Sequence, residues 1–226
     1  GLPPHLVHGL SHMLLAGYKH YSYEAPLWLD EGLAHWCERE VDPESNTFDA
    51  DEGTLVPTLG ESDWEAQTLR VLARGKAEPL ANLVRKNAFA DLDVDDHVVC
   101  WSKVDFLLRT RPKEFAALLG KVKGRLDAKG YADARDLTGA QRDAFRELLG
   151  WSFAEFDREW EAWVRKTYPA KGSPRRGRGG PRTGPPSPPT AWRARTSRAR
   201  PPSAGRKPRR PRGSRPRGSR GGARRD

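Results

Sequence analysis

The sequence predicts a mainly α body followed by a basic tail with no core of its own. Apolar residues recur with a period near 3.6 from Pro4 onward, helix-start signals precede several of these runs, and no stretch alternates with the period of two that a half-buried strand needs. The text also changes at residue 169. Residues 1–168 carry 21 basic and 29 acidic side chains, a net −8, and residues 169–226 carry 19 basic and one acidic, a net +18, so the formal +10 of the chain averages two unlike pieces. Seven of the eight tryptophans lie in the first piece, which alone has enough large apolar residues for a core.

The elements follow in order. Pro3 and Pro4 suit a helix start, and residues 4–16 are periodic: Leu6, Leu10, Met13 and Leu14 form an apolar arc that can face a core, with His8 and His12 opposite it and Gly17 ending the run. Pro26 opens a second helix reaching about Glu40, on which Glu31, Ala34, His35 and Glu38 share one face; the small Ala34 would let the two helices approach. Residues 42–61 are acidic and turn-rich, a surface loop. Ser62 to Glu65 reads as a capping box for a helix to about Arg74, residues 79–87 give a short helix, and 89–96 an acidic loop. A buried helix is expected over His97–Thr110. Pro112 starts the next, with Phe115, Leu118, Leu119 and Val122 inward, and capping boxes at Thr138–Gln141 and Ser152–Glu155 introduce a final pair.

Cys37 and Cys100 are too few for a disulfide framework, and a single bridge between them is neither required nor excluded. No run of eighteen apolar residues spans a membrane. The chain opens on glycine, which points to a fragment or a processed product whose signal peptide, if any, lay upstream. The compartment stays open, an exported or cell-envelope place in a bacterium being one reading.

The chemistry concentrates in His8 and His12, four apart on one helix, and in Glu31, after a gap of eighteen residues, in Trp28-Leu29-Asp30-Glu31-Gly32-Leu33-Ala34. Two imidazoles on one helical face and a carboxylate on the next helix make a His₂Glu set for Zn²⁺, with water fourth. A hydrolytic zinc site also needs a carboxylate that takes the water's proton. In H-E-x-x-H that is the glutamate after the first histidine, and here the position is Gly9. Asp30, Glu24 and His20 are the nearby candidates for a substitute base. His5 shares the face of His8 and His12 and is an alternative ligand.

Leu6-Val7-His8-Gly9-Leu10-Ser11-His12 with the Trp28–Ala34 segment resembles the paired helices of gluzincin zinc metallopeptidases, in particular their peptidase-MA-like branch. Pro79-Leu80-Ala81-Asn82-Leu83, the Trp101–Leu108 helix and Leu149-Gly150-Trp151-Ser152 to Trp160 are similar to later segments of that branch, so the likeness covers most of residues 4–168. It implies a helical zincin-type subdomain whose upstream sheet is missing. It further implies a zinc site of His8, His12 and Glu31, a peptide or protein substrate or ligand, and an oxyanion-steadying residue at His97, where the branch usually has tyrosine. The family's general base is absent at Gly9. A positioned base contributes roughly 10²–10⁴-fold, so peptide hydrolysis is expected to be lost or severely impaired while the metal ligands persist. The alternative is a non-catalytic pseudo-peptidase or helical binding module.

The tail holds seventeen Arg and two Lys among 58 residues, interleaved with Pro, Gly and Ser. It is expected to be disordered. It reads equally as a flexible polyelectrolyte that binds nucleic acid or another polyanion by charge, or as a GC-rich gene end read in a shifted frame.

Overall fold

The computed structural model describes residues 3–47, 49–50, 54–55 and 63–169, and among these the body is mainly α. The helices are α1 (Pro4–Gly17), α2 (Leu27–Val41), α3 (Trp64–Ala73), α4 (Leu80–Leu83), α5 (Val94–Thr110), α6 (Pro112–Lys123), α7 (Leu137–Leu149) and α8 (Phe153–Thr167), with a 3₁₀ turn at Phe89–Asp91. Two-residue strands β1 (Asp49–Ala50) and β2 (Thr54–Leu55) pair antiparallel, Asp49 opposite Leu55 and Ala50 opposite Thr54. No helix among the described residues is long and apolar enough to cross a membrane. The chain divides into units of residues 1–177 and 178–226. The expected disordered basic tail lies, apart from Pro169, outside the described residues, as does much of the 42–61 loop.

The core is built around α5, which touches α2, α3, α6 and α8. Its Val98, Val99, Cys100, Val104 and Leu107 are fully buried, and each large aliphatic side chain so removed from water contributes about 1.5–3 kcal/mol. Trp28, Trp64, Phe145, Phe156 and Trp160 complete the interior. Both cysteines are free thiols, Cys100 buried and Cys37 half-buried.

The contact that sets the site's position is between α2 and α5. A Cβ on Gly32 would lie 2.7 Å from the Cys100 carbonyl oxygen and 2.7 Å from Val104 Cγ2, so glycine is what lets the two helices meet this closely. Gly32 thus serves α2 and α5, while the small Ala34, expected to let α1 and α2 approach, is also buried. Elsewhere a buried ammonium does similar work: Lys103 pairs with Asp157, lies 4.1 Å from the centre of the Trp160 ring, and shares Asp157 with the backbone N–H of Leu80 at the start of α4. A second buried ammonium, Lys123, donates to the carbonyls of Ala16, His20 and Tyr23, holding the α1–α2 connection against the end of α6.

Four expectations change. The arc of Leu6, Leu10, Met13 and Leu14 does not face the core; these side chains are 45–69% exposed, and the buried residues of α1 are His8 and Leu15. α1 lies along α2, and the imidazoles it carries meet the polar groups there. The cap of α3 is Asp63, whose side chain accepts from the Ala66 N–H, while Ser62 lies outside the described residues. The cap of α7 is Asp136, in a left-handed conformation at φ +47°, bonding the Gly139 N–H. Thr138 instead donates to the Val84 carbonyl, and Gln141 accepts from the Trp28 indole. α5 also begins earlier than His97, because Asp93 and Asp96 form a reciprocal capping box. The Ser152–Glu155 box at the start of α8 is as expected.

Candidate metal centre

α1 presents His8 and His12 one turn apart, and their Nε2 atoms approach to 3.0 Å. α2 brings Glu31 to them from its second turn, with Oε1 3.3 Å from His12 Nε2. One turn further along α2, His35 places Nε2 3.4 Å from Glu31 Oε2, and α5 adds His97 from its first turns, with Nδ1 3.1 Å from Glu31 Oε2 and 3.0 Å from His35 Nε2. His8, Glu31 and His35 are 0–1% exposed, and each offers a donor atom within 4.8 Å of the others, so this group can hold a metal ion. The spacings agree with that chemistry. Two donors about 2.1 Å from one ion lie about 3.0 Å apart at a right angle and about 3.4 Å apart at the tetrahedral angle.

Carboxylates stand behind the imidazoles. Glu38 sits between His8 and His35: Oε1 is hydrogen-bonded to His35 Nδ1 at 3.0 Å, and Oε2 lies 3.3 Å from His8 Nδ1. Asp30 Oδ1 lies 3.0 Å from His12 Nδ1. Carboxylates against the outer nitrogens of ligating histidines fix the tautomer and the ring orientation, leaving the inner nitrogen as a lone pair. Glu31 Oε1, which faces His12, is buried without a hydrogen-bond partner, and so are His8 Nδ1, Glu38 Oε2, His12 Nδ1 and Asp30 Oδ1, which face each other in pairs at ion-pair distance only.

The electrostatics point the same way. Burial alone would raise the Glu31 carboxyl, but the imidazoles of His35 and His97 more than offset this and hold it well below the usual carboxylate range. Glu38 is also opposed by burial, yet its His35 and His8 neighbours bring it down to about 2. Burial lowers His35, and the two carboxylates flanking it raise it overall; His12 is raised against its own burial by Asp30. The cluster is therefore a buried pocket of negative charge that favours bound cations, whether protons or a metal ion.

The structure places His8, His12 and Glu31 near one another, but the group whose donor atoms all lie within reach of one ion is His8, Glu31 and His35, with Glu38 and Asp30 beside the rings. His5 is exposed at the start of α1. His20 accepts from the Ser22 N–H and stacks edge-on with Tyr23, in the connection rather than beside the ligands. Asp30 faces the outer nitrogen of His12 at 3.0 Å. His97 contacts Glu31 and His35 directly. A Cβ added at Gly9 meets nothing within 4 Å, so crowding does not explain the missing glutamate. His35 and Glu38 carried a signal in the sequence, their i+4 and i+7 spacing from Glu31. Which of those groups would meet α1 depends on the tertiary packing.

No known protein family, curated protein or solved structure matches the chain.

Proposed function

We propose that residues 1–168 are a zinc-binding, metallopeptidase-like domain in which His8, His12 and Glu31 hold the metal and the general base of peptide hydrolysis has been lost at Gly9. The observation that carries this reading is the convergence of two imidazole Nε2 atoms 3.0 Å apart with a buried, otherwise unpartnered Glu31 oxygen 3.3 Å from one of them. It is supported by the donor set itself, since imidazole with one carboxylate suits zinc and its late first-row neighbours rather than magnesium or calcium. Bound zinc would supply a Lewis acid and an acidified water. This chain's residues can fix the ion, and the nearby carboxylates Asp30 and Glu38 face the outer nitrogens of His12, His8 and His35 rather than the side on which a bound water would lie. Peptide or protein segments are then ligands rather than substrates with appreciable turnover.

The test is zinc binding by the full chain in competition with a chromophoric chelator, alongside a peptidase assay. One zinc per chain is expected, with binding abolished in His8→Ala and in Glu31→Ala and with turnover at background. A wild-type protein that takes up no zinc, or that cleaves peptides at ordinary enzymatic rates, overturns the reading. The seventeen Arg of the tail favour a second, separable activity, attachment to nucleic acid or another polyanion by charge. That binding should vanish on deletion of residues 169–226 and weaken steeply with added salt.

A further inference from the structure

We infer that the exposed face of α1 is a contact surface for a second copy of this chain, which docks on it as a symmetric dimer. The face lies opposite His8 and His12, and the inference holds whether or not a metal is bound. Leu6, Leu10, Met13 and Leu14 are 45–69% exposed on it. At about 100° per residue, Leu6, Leu10, Met13 and Gly17 fall within about 60° of one another, with Leu14 at the edge. Their spacing of four, three and four residues is that of a coiled-coil seam, the pattern by which one helix docks against another. The stripe continues past the helix end. A Cβ on Gly17 would lie 2.5 Å from the Tyr21 hydroxyl, so the Tyr21 ring covers the open position at Gly17 and extends the face, while remaining 83% exposed itself.

Charge and area select the occupant. Among the described helices longer than one turn, α1 alone carries no Asp, Glu, Lys or Arg, so a charged peptide or a nucleic acid finds nothing on it to pair with. Residues 1–168 carry a net −8, and two such bodies approach with least repulsion through a face without charge. An uncharged apolar stripe is also its own complement, as a contact across a two-fold axis requires. Leu6, Leu10, Met13, Leu14 and Tyr21 together expose on the order of 500 Å² of apolar surface, near the top of the range for the largest patch on a monomer. Pairing two copies removes about 1,000 Å² from water, the size at which a specific interface begins. Met13 and Leu14 lie midway between Leu6 and Tyr21, and so nearest the axis.

The experiment is sedimentation equilibrium of the full chain at micromolar concentrations, freed of nucleic acid and at moderate salt. The wild type is expected to show a monomer–dimer equilibrium. Leu14→Glu and Leu14→Lys change a side chain that is 67% exposed, and circular dichroism should show both variants folded. Each sets like charges face to face at the axis and should raise the dimer dissociation constant about 100-fold or more. An equimolar mixture of the two should dimerise again, because opposite charges then meet across the axis. A wild type that stays monomeric at these concentrations, whether inert or partitioning onto phosphatidylcholine vesicles, overturns the inference. A dimer that survives Leu14→Glu, or a mixture of the two variants that stays monomeric, contradicts it equally. None of these results bears on whether the chain binds zinc, which the chelator competition reads separately.

Discussion

Gly9 sits inside α1 directly after His8, at a position where an added Cβ meets nothing within 4 Å. Glycine in a helix interior costs about 1 kcal/mol relative to alanine. Gly9→Ala should therefore raise unfolding free energy by about 1 kcal/mol in chemical denaturation and leave zinc affinity unchanged; destabilisation would mean that the backbone there is not an ordinary helix. Glu38 has the opposite character. It is fully buried, faces the outer nitrogens of His8 and His35, and accepts from the Thr47 N–H at 3.3 Å. Removing a carboxylate that orients ligating histidines typically costs 10–100-fold in metal affinity. Glu38→Gln, which keeps the shape, should weaken zinc binding by about that factor in chelator competition. An affinity equal to that of the wild type would show that Glu38 does not orient the rings.

At the scale of elements, the site depends on how closely α2 approaches α5. Gly32→Ala forces a methyl against the Cys100 carbonyl and Val104 at 2.7 Å, and overpacking of this kind costs about 1–3 kcal/mol. Because Glu31 is the adjacent residue and His97 comes from α5, the same substitution should also weaken zinc binding. A variant with wild-type stability would show that α2 and α5 can separate freely. Helix positions were legible in the sequence because period and caps are local: α6 and the Ser152–Glu155 start of α8 lie where Pro112 and the capping box put them. The facing of α1 was not legible. Its apolar arc reads as a core surface until one sees that α2 offers α1 a row of carboxylates and an imidazole, which only His8 and His12 can satisfy. Asp136 likewise outcompetes Thr138 as a cap through a left-handed backbone that no local pattern announces. Spacing on two adjacent helices singles out His8, His12 and Glu31, whereas the buried group that can hold an ion has His35 in place of His12. His97, 62 residues beyond His35, joins them only once the helices pack.

For the whole molecule, stability ties the site to buried polar groups at the far side of α5. The Tyr168 hydroxyl is buried among Ser102, Asp105 and Trp163, and burial, reinforced by the charge of Asp105, pushes its ionisation well above the usual tyrosine value. The folded state thus holds this proton more tightly than the unfolded chain. Its stabilising share is complete below about pH 10, the unfolded value, and is lost as pH rises towards the folded one, at about 1.4 kcal/mol per pH unit. Cys100, also raised by burial, acts in the same direction. Urea titrations at pH 8, 10 and 11 should show stability falling above pH 10 in the wild type and falling less steeply in Tyr168→Phe; identical slopes would contradict the assignment. The central claim, however, concerns the pocket between α1, α2 and α5. Crystals of the full chain grown with zinc, measured on either side of the zinc absorption edge, locate the ion directly. The account predicts one anomalous peak within bonding distance of His8 Nε2, His12 Nε2 and Glu31 Oε1. A zinc-containing crystal with no peak there, or with zinc bound only elsewhere, would contradict it.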